Sequence, residues 1–309
     1  MRPTIVGWLN EALGTGVFEW LVPYPALVYA LTMLACLLVF VRRSGQAGLP
    51  AYHALGAALT GMIGGLIGAR LLFLVLWRPP PERFLEELLR VSGGTISWGA
   101  YLGGFAGFCG YLVVRRRDPL AHLDVLGSVL GLGPFLGRWA CLLNGCDFGR
   151  PSDVPWAVSY PHGSIPFVAQ VRHGLLDPLA EQSLAVHPVQ LYLALNGLLL
   201  FGVFSLLWRR VRWPPGAIFF GYWAAYAATR FPLELLRGNT ETFYLGVLSI
   251  GQVMSVVVLV VSVTAIVGLA SWSGRGGTKR APSSAVVGRD AVARCGVQRE
   301  DIAGQPLVR

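Results

Sequence analysis

The chain has 309 residues, is 54% hydrophobic and only 13% charged, and carries a formal net charge of +9. Soluble domains average roughly 25% charged residues, so this composition excludes an ordinary soluble enzyme and fits a polytopic membrane protein. Lys279 is the sole lysine, which leaves the apolar part without an amine for Schiff-base or nucleophilic chemistry. The five cysteines (Cys36, Cys109, Cys141, Cys146, Cys295) are too few and scattered for a disulfide framework, and no compact apolar core with a cleavage site follows Arg2.

Residues 4–20 (TIVGWLNEALGTGVFEW) are short, Trp-bearing and amphipathic, and read as an interfacial arm rather than a span. Seven apolar stretches follow, at about 24–41, 54–77, 96–114, 122–143, 187–208, 215–236 and 246–271. Glycines crowd the second and third (GMIGGLIGAR, YLGGFAGFCG), which predicts close backbone approach there. Residues 144–186, rich in Pro, His, Asp and Gly, are long enough to form a small head. The expected fold class is all-α, a polytopic membrane protein with seven transmembrane helices, an N-terminal interfacial arm and a small periplasmic head. Its parts are an arm over 1–22, a membrane domain over 23–271 with the head inserted at 144–186, and a disordered cytoplasmic tail over 272–309.

Positive charge in short loops sets the orientation. Arg42–Arg43, Arg115–Arg117, Arg209, Arg210 and Arg212, and Arg275, Lys279 and Arg280 fall in alternate loops, which are therefore cytoplasmic. The N-terminus is then outside and the C-terminus inside.

The stretch Pro215 to Arg237 (PGAIFFGYWAAYAATRFPLELLR) puts Tyr226, Arg230, Glu234 and Arg237 at i, i+4, i+8 and i+11, one stripe of a helix. Arg230 would lie about 10 Å below Arg237, in the outer half of the bilayer. Charges inside a membrane helix need a partner or a wet cavity, so the stripe reads either as a net-positive site for an anion or as a structural Arg–Glu–Arg network. Arg138 in GRWACLLNGCDFGR (137–150) falls at the same inferred depth, with Asp124 fourteen residues earlier on roughly the same face. HPVQLY (187–192) opens the fifth span, with Pro188 suited to a first helical turn. Arg70 ends GGLIGARLL. Two guanidiniums at one depth favour a shared anionic ligand. Arg70 has an alternative as a snorkelling residue, His187 as a helix-start residue and Gln190 as a helix cap or bridge; Cys141 and Cys146 read first as packing residues, with a disulfide or a reactive thiol as the lesser reading because Cys146 falls near the oxidising side.

GLIGAR (65–70), GG (93–94), YLGG (101–104), Asp124, GR with NG and FGR (137–150), HPVQLY (187–192), YAATRFPLELLR (226–237) and SIGQ (249–252), in this order, resemble the bacterial prolipoprotein diacylglyceryl transferases. The resemblance runs from about Tyr24 to Gly268. It implies transfer of a diacylglyceryl group from phosphatidylglycerol to the thiol of a lipobox cysteine in a prolipoprotein signal peptide, with release of glycerol phosphate. It also implies a bacterial cytoplasmic (inner) membrane location, membrane lipids as partners, and no metal, other cofactor or nucleic acid.

Under that resemblance Arg138, Arg230, Tyr226 and His187 are the catalytic residues. Arg70, Trp98, Asn144, Gly149, Gln190, Glu234 and Arg237 are the substrate-binding ones. The chain departs from the family pattern at Trp98 (usually His or Tyr), Cys141 (Asn), Cys146 (Glu) and Leu193 (Glu). These departures remove acid/base groups and keep the phosphate-binding arginines. The runner-up is transfer of a lipid group to another acceptor, or binding of anionic phospholipid without turnover. An anion transporter would need arginines reaching both faces, and the inner half offers only Asp124.

Overall fold

The computed structural model describes residues 25–77, 80–89, 96–211, 213–238, 242–244 and 248–274. The expected interfacial arm, the glycine pair at 93–94 and the tail beyond 274 lie outside the described residues. Ten helices are described: α1 Pro25–Gln46, α2 Ala51–Trp77, α3 Phe84–Leu89, α4 Ser97–Val114, α5 Pro119–Gly127, α6 Leu132–Asn144, α7 Ile165–Arg172, α8 Val189–Arg210, α9 Ala217–Glu234 and α10 Ile250–Gly274. One small antiparallel pair, β1 Thr242–Tyr244 with β2 Leu248–Ser249, precedes α10. The last helix runs to Gly274, so the first three residues assigned to the tail belong to it.

Four helices, α1, α2, α8 and α10, are long and apolar enough to cross a membrane; α5 and α6 together would make a fifth. Of the other expected spans, the third is the shorter apolar stretch Trp98–Val114. The sixth is α9, whose apolar run is interrupted by Tyr226, Arg230 and Glu234. The expected fourth span, 122–143, is not one helix: α5 and α6 meet at a 49° bend. Gly127 and Gly131 flank the break, where a Cβ would meet the Phe219 Cα at 2.6 Å and the Phe201 N at 2.5 Å. Two other helices press their backbones into this gap. Asp124 and Arg138 therefore do not share one helical face.

The chain divides into two compact units, cut at Leu38/Val39 within α1 and at His122/Leu123 within α5. In the unit spanning 39–122, α2 packs along α4. The seam is glycine on glycine: a Cβ on Gly64 or Gly68 would fall on the backbone carbonyl of Gly103 or Gly99. In lipid, apolar surface gains nothing from leaving the solvent, so van der Waals contact between close backbones must hold such helices together. Ile96 N–H donates to the Ala69 carbonyl (3.1 Å), hooking the start of α4 to α2.

The other unit carries α6 against α8 and α9 against α10. Its core holds Leu200, Phe204, Ile218 and Tyr222. Asn196 Nδ2 donates to Thr229 Oγ1 at 3.0 Å, tying α8 to α9. Asp124, almost fully buried, accepts from Gly216 N (2.9 Å) and Ile218 N (3.0 Å). It thus caps the N-terminus of α9 from a different helix, where a carboxylate meets the positive end of the helix dipole. Residues 145–188 fold as a small body around Phe148, Tyr160 and Val186. Short bridges from Val186 to Pro151 and Val158 hold it, as does a Tyr160 N–H bond to the Ser183 hydroxyl (2.8 Å).

Candidate active site

Three arginines and two carboxylates form one connected chain of ion pairs. Arg138 on α6 donates from Nη1 to Asp147 Oδ2 at 2.5 Å. Asp147 Oδ1 takes Nη2 of Arg237 at 2.6 Å. Arg237 Nη1 reaches Glu234 Oε1 at 3.1 Å and Oε2 at 3.3 Å. Glu234 Oε2 pairs with Arg230 Nη2 at 2.8 Å. Glu234, with a side chain only 2% exposed, sits at the centre. Gly251 at the start of α10 presses on it, since a Cβ there would be 2.6 Å from Glu234 Oε1.

Local structure explains how these groups meet. Tyr226, Arg230 and Glu234 lie at four-residue steps on α9 and share its face. The helix stops at Glu234, so Arg237 does not continue the stripe as the sequence spacing predicted. It lies instead in an isolated antiparallel bridge to Gly149. Pro232 lies near the end of α9, where its ring removes one backbone donor. Leaving the helix lets Arg237 face Glu234 and Asp147 together.

Asp147 comes from the turn after α6. Gly145 caps that helix in the left-handed conformation (φ 75°), and Asp147 is itself left-handed (φ 55°). Aspartate is among the few L-residues that tolerate this region. Three strands of chain fix the turn. Arg150 N donates to Leu236 O (2.8 Å), Gly238 N to Phe148 O (2.9 Å) and His187 N to Arg150 O (3.1 Å). Gly149 is wedged so closely that a Cβ would lie 2.6 Å from that of His187. Gln190, fully buried, donates to the Cys146 carbonyl (2.8 Å) and the Tyr160 hydroxyl (3.2 Å). Gly149 and Gln190 therefore hold the turn that presents Asp147.

Among the described residues the cluster joins three guanidiniums to two carboxylates. Arg230 Nη1 is buried and has no hydrogen-bond partner among the described residues. Such an atom costs free energy unless a ligand or solvent meets it. Burial works against ionisation of Asp147, but Arg138 and Arg237 outweigh it and hold its carboxyl below the ordinary range.

Tyr226 is half-buried and stacks on Tyr222 at 6.1 Å, with Trp223 edge-on at 5.9 Å. It is an electrostatic neighbour of Arg138. Its hydroxyl makes no hydrogen bond among the described residues. His187 Nδ1 faces the Tyr192 hydroxyl (3.3 Å), which also receives the Trp156 indole N–H (2.6 Å). Asn144 ends α6 and is exposed. Leu193 is buried in the core of α8.

Arg70 and Trp98 belong to the 39–122 unit. Arg70 is buried, and its Nε donates to the Glu87 carbonyl at 2.9 Å; Nη2 reaches the same oxygen, and the Phe73 ring lies under the guanidinium. It therefore does not snorkel; it ties the last turn of α3 to α2. Trp98 stands edge-on to Tyr101 at 5.6 Å.

Sequence reading did not single out Asp147 or Tyr29. The Tyr29 hydroxyl lies 3.1 Å from Cys141 Sγ. Cys141, Cys146 and Asp147 present their sulfur and oxygen atoms within 4.8 Å of one another, a spacing that could hold a metal ion. Both Asp147 oxygens are already held by guanidiniums, however, and an arriving cation would face Arg138 and Arg237 at close range. Burial pushes the Tyr160 phenol up to about 12, so it stays protonated in the head.

The model of the prolipoprotein diacylglyceryl transferase family matches residues 19–268. A phosphatidylglycerol–prolipoprotein diacylglyceryl transferase of Clostridium tetani is 28% identical over 241 residues, 78% of this chain and 90% of that protein. One from Cereibacter sphaeroides is 35% identical over 190 residues, 59% of this chain and 61% of that protein, so that match takes in less than two thirds of its length. One from Thermotoga maritima is 31% identical over 209 residues, 66% of each. With a match that covers most of the chain and takes in the whole arginine cluster, this chain belongs to the prolipoprotein diacylglyceryl transferase family.

Proposed function

We propose that the chain transfers the diacylglyceryl group of phosphatidylglycerol to the lipobox cysteine of prolipoproteins and releases glycerol phosphate, with the lipid phosphate held by Arg138 and Arg230. The observation that carries this reading is the buried Nη1 of Arg230, which has no hydrogen-bond partner among the described residues, in a cluster of three guanidiniums. A phosphodiester supplies one negative charge and acceptor oxygens for that atom. The incoming thiolate attacks the glyceryl carbon, and the C–O bond breaks with its electron pair going to the phosphate oxygen. Charge therefore grows on the phosphate as the bond breaks, where fixed guanidiniums stabilise it more than in the ground state.

The thiol must first lose its proton. Tyr226, with a free hydroxyl near Arg138, is the proposed acceptor, and His187, paired with Tyr192, is the second candidate. Glu234 and Arg237 orient the arginine pair, while Asn144, Gly149 and Gln190 support the Asp147 turn. Trp98 offers its indole N–H to a lipid ester at the membrane interface. Seven crossings, an outside N-terminus, a cytoplasmic C-terminus and a periplasmic head over 144–186 complete the proposal. Arginine-rich alternate loops support that orientation.

Purified protein with phosphatidylglycerol and a lipobox peptide tests the reading, and complementation of a strain lacking its own transferase tests it in cells. The runner-up rests on Trp98, which has no acceptor for a proton, and on Cys146 in place of the family's glutamate. Failure of transfer with co-purified phosphatidylglycerol would move the assignment to lipid binding without turnover or to another acceptor.

A further inference from the structure

Cys141 and Cys146 meet beside the ion-pair chain because of one turn. Cys141 is buried near the end of α6; Gly145 then reverses the chain with φ 75° and brings Cys146 back against it. The two sulfurs lie within 4.8 Å of each other. The Cys146 thiol also donates to the Cys141 carbonyl at 3.8 Å. Both are free thiols, and the other described cysteines, Cys36 and Cys109, stand singly in apolar helices.

We propose that Cys141 and Cys146 form a dithiol that oxidises reversibly to a disulfide and thereby switches the anion site. One thiolate attacks a disulfide of an oxidised dithiol carrier, and the second displaces the carrier's sulfur from the mixed disulfide. The pair loses two electrons and two protons, and the carrier is reduced to its dithiol. The sulfurs must close to about 2.05 Å. Cys141 is locked in a helix and Cys146 is on the turn, so the turn moves. Asp147 is the next residue, in a left-handed conformation and bonded to Arg138 and Arg237, and it moves with Cys146. The inference rests on the proposed lipid-phosphate reading only for its effect on transfer.

The test uses the full chain with Cys36, Cys109 and Cys295 replaced by serine. The protein is treated with diamide, which takes up the two electrons and two protons, then denatured and alkylated with a maleimide. Intact mass should show two additions before oxidation, none after, and two again after dithiothreitol, on a protein that stays monomeric on non-reducing gels. Adding Cys146→Ser should leave one addition throughout. Transfer should fall by about tenfold on oxidation, as expected for one lost charge-assisted contact, and recover on reduction. Two additions after excess diamide, or a cross-linked dimer accounting for their loss, would overturn the dithiol. Oxidation with unchanged transfer would overturn the switch. A reduced protein without transfer would count against the transfer reading alone, because the mass readout decides the disulfide without it.

Discussion

Replacing Arg230 by glutamine removes one of three guanidiniums and leaves both carboxylates, so the cluster loses one positive charge. The fold should survive, because Glu234 keeps its two contacts to Arg237 at 3.1 and 3.3 Å. The buried Nη1 disappears with the side chain, and with it the group assigned to the phosphate. A charge-assisted hydrogen bond contributes about 1.5–3 kcal/mol. At about 1.4 kcal/mol per decade, the expected loss is about 10- to 150-fold. If Arg230 acts on charge that grows during C–O cleavage, the loss appears in kcat as well as kcat/KM; a purely ground-state contact would raise KM alone. Arg230→Lys should rescue poorly, because an ammonium lacks the planar fork that serves Glu234 and a phosphate together. The assay is transfer from phosphatidylglycerol to a lipobox peptide over a range of lipid concentrations, with correct insertion checked by detergent extraction and gel filtration. Transfer by Arg230→Gln within about twofold of the parent would refute the clamp.

Asp147→Asn should lower thermal stability in detergent. Breaking a fully buried ion pair costs about 3–5 kcal/mol, and a side chain 27% exposed sits at or below the low end of that range. The Asp147 carboxyl is depressed in the fold, so its stabilisation is complete above the unfolded value of about 3.9 and is lost as pH falls through the lower folded value. The stability gap between parent and Asp147→Asn should therefore be flat between about pH 5 and 8; a gap that closes within that range would show that the carboxyl is not depressed. Tyr226→Phe should eliminate transfer while phosphatidylglycerol still binds, and Trp98→His should preserve or raise the rate. The reverse pattern would make position 98 a shaping residue and acquit Tyr226 of proton transfer. Reporter fusions at residues 117 and 165 should signal cytoplasm and exterior respectively, and a cytoplasmic signal at 165 would put the arginines at the wrong leaflet. Gly103→Val should prevent α2 and α4 from docking, since its Cβ falls on the Gly64 carbonyl; normal yield and stability of that variant would contradict the glycine seam.

Much of the fold was legible because apolar stretches in a membrane protein become helices almost by necessity. The glycine runs foretold the α2–α4 seam for a reason intrinsic to the residue. Within α9 the step of four placed Tyr226, Arg230 and Glu234 correctly, because helical spacing is a local property. Arg237 escaped it: the end of α9 depends on a pairing with Gly149, almost ninety residues earlier in the chain, and periodicity carries no such information. The same limit hid Asp147. A polar residue after Asn-Gly reads as an ordinary turn, and its role needs a left-handed backbone and a partner ninety residues away. A signal was present, since a carboxylate stands next to Cys146 where the family carries glutamate. Asp124 was correctly singled out and wrongly associated with Arg138, because the break at Gly127–Gly131 is enforced by neighbouring helices rather than by the segment's own composition. Gln190 bridges, as one of its two readings held, but bridges the head and not two helices.

An ion-pair chain with an odd number of charges can weigh a lipid by its net charge rather than by its shape. Among the described residues, three guanidiniums stand against two carboxylates, and the proposed phosphate clamp would place one negative charge beside them. Under that proposal a phospholipid with an uncharged polyol head would bring only its phosphate charge to the arginines. One with a choline or ethanolamine head brings an ammonium along with its phosphate, and that ammonium must either meet an arginine or remain in water. Under the proposed clamp, selection among bilayer lipids would require no fitted headgroup pocket: repulsion of the wrong head would do the sorting, since specificity is a difference between two affinities.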